Sequence, residues 1–352
     1  MSNQNKEKQG SGSGPGCLIV LALIAVGVYA AFIGPSILKP VSPPVELPPE
    51  PTGLAIGGFQ ITNTILATLI TDVLLIIMAL SAWRFIKSGK VVPSGFYNIF
   101  EAIIEFLWNS VEGSVGKWAK RVFPLVATIF LLIFIANMIK LVPGFESIGR
   151  LEAAKKGTGY APKELFSIGS LAFYTVDKAQ PTKIEAGKTE GGSVEGEGLC
   201  QVCVVVPFLR GTATDLNFPL ALALITVVMS QVYGVWALGP AYFEKFFQIR
   251  KLISGGIFGV IDFAVGILEA VLEFAKVLSF SFRLFGNIFA GALLLSILGA
   301  LTAVALPAGL YIFEIFFGTI QAYVFFLLAT VFISMALVSH SGEHHEESAH
   351  ES

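Results

Sequence analysis

The chain has 352 residues, of which 54% are hydrophobic and only 14% charged, with a formal net charge of -2 and a mean hydropathy of +0.75. Soluble domains carry about 25% charged residues, so this composition excludes the ordinary soluble classes, and the small net charge excludes a nucleic-acid surface. The unit of organisation is instead the membrane helix of about 20 apolar residues.

Residues 1–16 are polar and rich in Gly, Ser and Lys, and read as a disordered N-terminus. Residues 17–34 are almost wholly apolar. They are a signal-like segment or a retained span, and the lack of a clean small-x-small cleavage site favours retention. Residues 35–54 hold seven prolines, from Pro35 to Pro51, and read as an extended linker. The membrane domain then takes up residues 55–340. Its first span runs from about Ile61 to Ile86 and closes on Trp83, Arg84, Lys87 and Lys90, an aromatic and basic end of cytoplasmic character. Residues 94–118 place apolar positions at helical spacing among Glu101, Glu105, Glu112 and Lys117, the pattern of a helix in the membrane interface. Phe123 to Val142 form the next span, stopped by Pro143-Gly144.

Residues 145–213 are polar, Gly-rich and mixed in charge, and alternation of the spans puts this loop outside the cytoplasm. It contains Cys200 and Cys203; a disulfide is expected there over free thiols, and a zinc site lacks further ligands. A span follows from about Phe218 to Leu238, with Lys245, Arg250 and Lys251 behind it. Residues 257–300 and 307–338 are two continuous helical patterns, both longer than the ~30 Å hydrocarbon core, so each must tilt, bend or project. The tail 341–352 is rich in His and Glu. The fold class expected is therefore all-α integral membrane, with roughly five to six transmembrane helices plus one interfacial amphipathic helix, the last two helices long and tilted.

Within residues 269–291 five polar side chains interrupt the apolar pattern: Glu269, Glu273, Lys276, Arg283 and Asn287. Their steps of four, three, seven and four put them on one helical face, with Phe280 filling the gap. A central Arg in lipid costs about 2.5–3.5 kcal/mol on insertion scales, so such a stripe must face water, a partner or itself. A guanidinium stays charged and cannot carry a proton; it acts as a fixed charge that favours ionisation of a nearby carboxylic acid. The structural alternative for Arg283 is snorkelling or pairing with Glu269 or Glu314. Its depth in a forty-residue apolar helix favours function. Gly286 and Gly291 beside it suit close approach of another helix.

The last helix carries Glu314 and, two turns on, Gln321. A lone membrane carboxyl is a proton-relay candidate, against the alternative of a neutral acid hydrogen-bonded to a neighbouring helix. Asp215 and Asn217 stand at the outer mouth of the span that begins near Phe218, where a helix cap and the lining of an aqueous entry path are compatible roles. Asn137 and Lys140 are weaker candidates, and Lys140 is expected to snorkel. No cofactor and no metal site is expected. All four histidines stand at the C-terminal end, from His340 on, which argues against a bis-His haem subunit. A secondary transporter and a non-transporting scaffold are the alternative readings. The first lacks repeats and Pro-broken helices, and the second gives no reason for the stripe.

The segment SFRLFGNIFAG around Arg283 resembles the signature of subunit a of F-type ATP synthases, the stator beside the rotating ring of c subunits. FPLVATIFLLIFIANMIKLVPG near 123–144, TDLNFPLALAL near 214–224 and GTIQAYVFFLLATVFISMAL near 318–337 extend the resemblance over most of residues 55–340. It implies an ion-translocating subunit, most simply for protons, that is not an enzyme on its own. It also implies two offset half-channels ending at the c-ring, b-type peripheral stalk subunits as further partners, lipid around it and, as location, an energy-transducing membrane such as the bacterial inner membrane. The family's essential arginine falls on Arg283, its channel-lining polar positions on Asn287, Gln321 and Glu269, and a Glu-or-His position on Glu314. One departure is Ala292, where many members have Glu.

Overall fold

The computed structural model describes residues 49–87, 95–142, 144–146, 148–153, 157–168, 171–184, 200, 202–240, 242, 246, 256–301 and 305–338. The expected N-terminus, the apolar segment 17–34, most of the Pro-rich linker and the tail lie outside the described residues.

Six α-helices are described: α1 Asn63–Lys87, α2 Phe96–Val115, α3 Ala119–Ile139, α4 Asn217–Leu238, α5 Gly256–Leu301 and α6 Ala305–Leu337. Four stretches are long and apolar enough to cross a membrane: Asn63–Lys87, Tyr97–Ile139, Asn217–Leu238 and Ala308–Leu337. To these α5 adds 46 residues, about 69 Å at 1.5 Å per residue, and it carries the polar stripe.

The chain divides into two compact units: the larger holds 45–151, 205–292 and 314–352, the smaller 1–44, 152–204 and 293–313. The core of the larger unit forms where apolar stripes meet. On α2, Leu107, Val111 and Val115 are buried at steps of four, the spacing of one helical face, while Glu101, Glu105 and Glu112 are exposed. Trp108 of α2 packs edge-on against Phe123 of α3, at 5.2 Å between centroids. Phe130 of α3 meets Phe326 of α6, and Phe280 of α5 sits edge-on between Phe325 and Phe332 of α6, at 4.7 and 5.1 Å. Small residues let helices close up: Asn137 of α3 donates to the Gly318 carbonyl of α6 at 3.0 Å, a contact that a side chain at Gly318 would obstruct. By contrast α1 is buried only at its start, through Asn63, Thr64, Ala67 and Thr71. Val73, Ile76, Ile77, Leu80 and Trp83 are exposed, as lipid-facing residues are.

The all-α membrane expectation holds, and short strands not foreseen in the sequence accompany the helices. The chain is mostly helical, but six β-strands are described. β1 Pro51–Ile56 and β2 Phe59–Thr62 form an antiparallel hairpin, with Ile56 opposite Phe59. Gly57 and Gly58 take φ of +58° and +86°, the left-handed pair that a tight two-residue hairpin turn requires. The hairpin leads straight into α1: the Asn63 amide donates to the Glu50 carbonyl at 3.0 Å. The stretch read as an outer loop, 145–213, contains β3 Gly149–Ala153, β4 Gly157–Ile168, β5 Leu171–Ile184 and β6 Cys203–Pro207. In the larger unit, the Phe208 amide beyond β6 donates to the Ile148 carbonyl before β3. In the smaller unit β4 and β5 pair antiparallel from Gly157 opposite Ile184 to Ile168 opposite Leu171. Tyr160 of β4 faces Cys203 of β6. Cys200 and Cys203 are disulfide-bonded. Strand formers such as Tyr160, Phe166, Phe173, Tyr174 and Val176 are interleaved with Lys, Glu and Gly. Averaged over the loop they look polar, yet residue by residue they make a pleated surface.

Candidate functional site

The polar stripe predicted on residues 269–287 lies along α5, which stays helical throughout because no proline interrupts it. The packed face of the helix is set by Val277, Phe280, Leu284 and Ile288, all buried. The stripe runs along the border between this face and the exposed one, so its members meet different surroundings. From Glu269 to Arg283 is about 21 Å along the axis, and from Arg283 to Gly291 about 12 Å.

At one end, Glu273 accepts from Lys276 Nζ at 2.6 Å in an ion pair and from Gln231 Nε2 of α4 at 3.0 Å. Gln231 in turn shares a hydrogen bond through its Oε1 with the Tyr242 hydroxyl. The Tyr242 phenol is pushed up to about 12 by burial first, and then by the negative charges of Glu273 and Glu269. It is therefore a donor at any ordinary pH, which fixes the direction Tyr242 O–H to Gln231, Gln231 N–H to Glu273. Lys276 also lies over the Phe332 ring, 4.9 Å from its centroid. Glu269 sits one turn earlier, half-buried.

In the middle, Arg283 is exposed, and among the described residues it makes no hydrogen bond or ion pair. The alternative pairing with Glu269 or Glu314 is not found. One turn on, Asn287 Nδ2 approaches Gln321 Oε1 of α6 at 3.4 Å. Gln321 is buried, and its Nε2 has no hydrogen-bond partner among the described residues. A buried amide donor left open is uncommon and marks a place where a water or another polar group fits.

At the other end, Glu314 of α6 pairs with Lys140, the C-cap of α3, at 3.2 Å, with side-chain exposures of 11% and 6% respectively. The expectation that Lys140 snorkels is thus corrected: its ammonium is buried against the Glu314 carboxylate, and its stem passes Gly211. At Gly291 α5 lies against Glu314, since a Cβ there would lie 2.7 Å from Glu314 Oε1. Gly286, expected to serve the same end, has nothing within 4 Å of its Cβ position. Beyond Lys140, the Gly211 amide donates to Glu146 Oε1 at 2.9 Å. Asp215 is buried and accepts from the Asn217 amide, from Asn217 Nδ2 and from Thr64 Oγ1 of α1. Asp215 thus holds the first amide of α4 from one residue before the N-cap, Leu216, which itself makes no side-chain cap bond, while Asn217 is exposed.

The stripe and the carboxylates were legible in sequence, and Lys140 was a weaker candidate; Gln231 and Tyr242 as members of this polar set were not, nor was Asp72 singled out. Asp72 stands half-buried in the apolar middle of α1, and a lone carboxyl in a span was signal enough. Gln231 and Tyr242 gave no such signal, because their relevance comes from the partners they reach.

A multi-pass helical protein with a charged stripe along one long helix, and an exposed guanidinium in the middle of it, is built to move charge across a membrane. The family described as ATP synthase A chain matches residues 65–334. The chain is 28% identical to ATP synthase subunit a of Mycobacterium marinum over 305 residues, covering 85% of this chain and 96% of that one. It has the same identity over 305 residues to ATP synthase subunit a of Mycobacterium tuberculosis, covering 86% and 96%. It is 27% identical to the sodium ion specific ATP synthase subunit a of Propionigenium modestum over 339 residues, covering 90% and 94%. The chain belongs to the ATP synthase A chain family. It is a multi-pass subunit of the ion-translocating Fo sector in an energy-transducing membrane, works together with other subunits, and is not an enzyme by itself.

Proposed function

We propose that the translocated ion is the proton, and that Arg283 is the fixed charge facing the ion-carrying carboxylate of a c-subunit ring. The observation that carries this reading is the exposure of Arg283 with no partner in its own chain among the described residues. A buried or lipid-facing guanidinium left so would be costly, so its partner comes from a neighbouring subunit. Asn287, Gln321 and Glu314 line the path on one side of Arg283, with Asp215 and Asn217 at its outer mouth. Glu269, Glu273 and Lys276 line it on the other. Arg283 separates the two half-channels, since a permanent cation repels a proton moving directly between them. The proton is favoured over sodium because the Glu314 carboxylate is engaged by an ammonium, whereas a metal cation calls for several converging oxygens. The remaining partners are b-type peripheral stalk subunits, and the location is a bacterial inner membrane.

The test is ATP-driven acidification of vesicles carrying the whole complex, with hydrolysis recorded in parallel. Arg283→Ala is expected to abolish acidification while hydrolysis persists. Acidification that survives the substitution would overturn the assignment.

A further inference from the structure

Three observations converge on Lys140. It reaches Glu314 Oε1 from another helix at 3.2 Å, and both side chains are almost wholly buried. Among the described residues this is the one hydrogen bond or ion pair that Glu314 makes. The same oxygen, Oε1, is the atom that a Cβ on Gly291 would strike, at 2.7 Å, so the carboxylate lies directly on the helix that carries Arg283. Nothing on α5 at this point holds it there, because Gly291 has no side chain and Ala292 has no polar one. The Lys140 stem is itself confined, with Cδ 3.4 Å from the Cβ position of Gly211 and Glu146 Oε1 3.3 Å from the same position. We infer that Lys140 is a positioning residue: its ammonium, held at the end of α3, fixes the Glu314 carboxylate against Gly291 of α5. The arrangement gives the outer path a fixed cation beside the carboxylate that hands the ion toward the Arg283 region. The inference rests on the reading of Glu314 as an ion-path residue.

The experiment is ATP-driven acidification by isolated complexes reconstituted in vesicles, normalised to their hydrolysis rate. It compares wild type, Lys140→Gln, Lys140→Arg and Glu314→Gln. A misplaced group in a transfer path costs between about tenfold and a hundredfold, so Lys140→Gln should lose at least about tenfold of its pumping, and Lys140→Arg should restore most of it. Pumping by Lys140→Gln equal to wild type, with Glu314→Gln impaired, would overturn the inference and leave the role of Glu314 standing. Full pumping by Glu314→Gln would instead overturn the role of Glu314, and the inference with it. If Lys140→Gln yields no complex, Lys140→Met decides, since it keeps an apolar stem of similar length and removes the charge while Glu314 stays in place: pumping at least about tenfold lower supports the positioning role, and wild-type pumping overturns it.

Discussion

At Gly291 the missing side chain matters more than any conformational freedom. The contact it would disturb is the tip of Glu314, which can swing aside, so Gly291→Ala should assemble normally and still pump less, because the carboxylate is pushed off α5. Yield of complex and acidification rate, measured together, check this; a fall in both or in neither would contradict it. Residue-scale chemistry of this kind was half legible in the sequence. Glu314 and Arg283 announced themselves, since charge in lipid is expensive enough to require a reason. Lys140 was read as a snorkelling residue because it stands near a helix end, and only the approach of α6 gives its ammonium a buried carboxylate partner.

Among the elements, α5 and α4 show how packing turns a pattern into a site. The face of α5 that bears Val277, Phe280, Leu284 and Ile288 is held by α6, and this fixes which way the stripe points. Gly234 of α4 is filled by the ring of Tyr242, which a Cβ at 234 would overlap. Gly234→Val should therefore displace Tyr242 and break the chain of hydrogen bonds to Gln231 and Glu273. Overpacking of this kind costs about 1–3 kcal/mol. The expected outcome is a lower thermal midpoint of the detergent-solubilised complex; an unchanged midpoint would show that the ring yields freely. The strands were the elements missed. Two glycines at 57 and 58 are a strong hairpin signal, but they stood next to a proline-rich stretch that suggested a linker.

For the molecule as a whole, the Cys200–Cys203 disulfide bears on orientation, since disulfides persist on the oxidising side of a membrane. An outer location of the strand region predicts that Cys200 and Cys203 resist a membrane-impermeant maleimide in right-side-out vesicles until reductant is added, and then react. Reaction only in inverted vesicles would reverse the topology. The sequence by itself determined that the chain lives in a membrane, where its long helices fall, and that residues 269–287 share a face, because hydropathy and helical periodicity are local properties of consecutive residues. The tertiary structure decided the rest: that Lys140 belongs to Glu314, that Gln321 and Asn287 meet, that Tyr242 is wired to Glu273, and that Arg283 finds no partner among the described residues of its own chain. Each of those depends on which helix faces which across tens or hundreds of residues, and no local pattern encodes that distance.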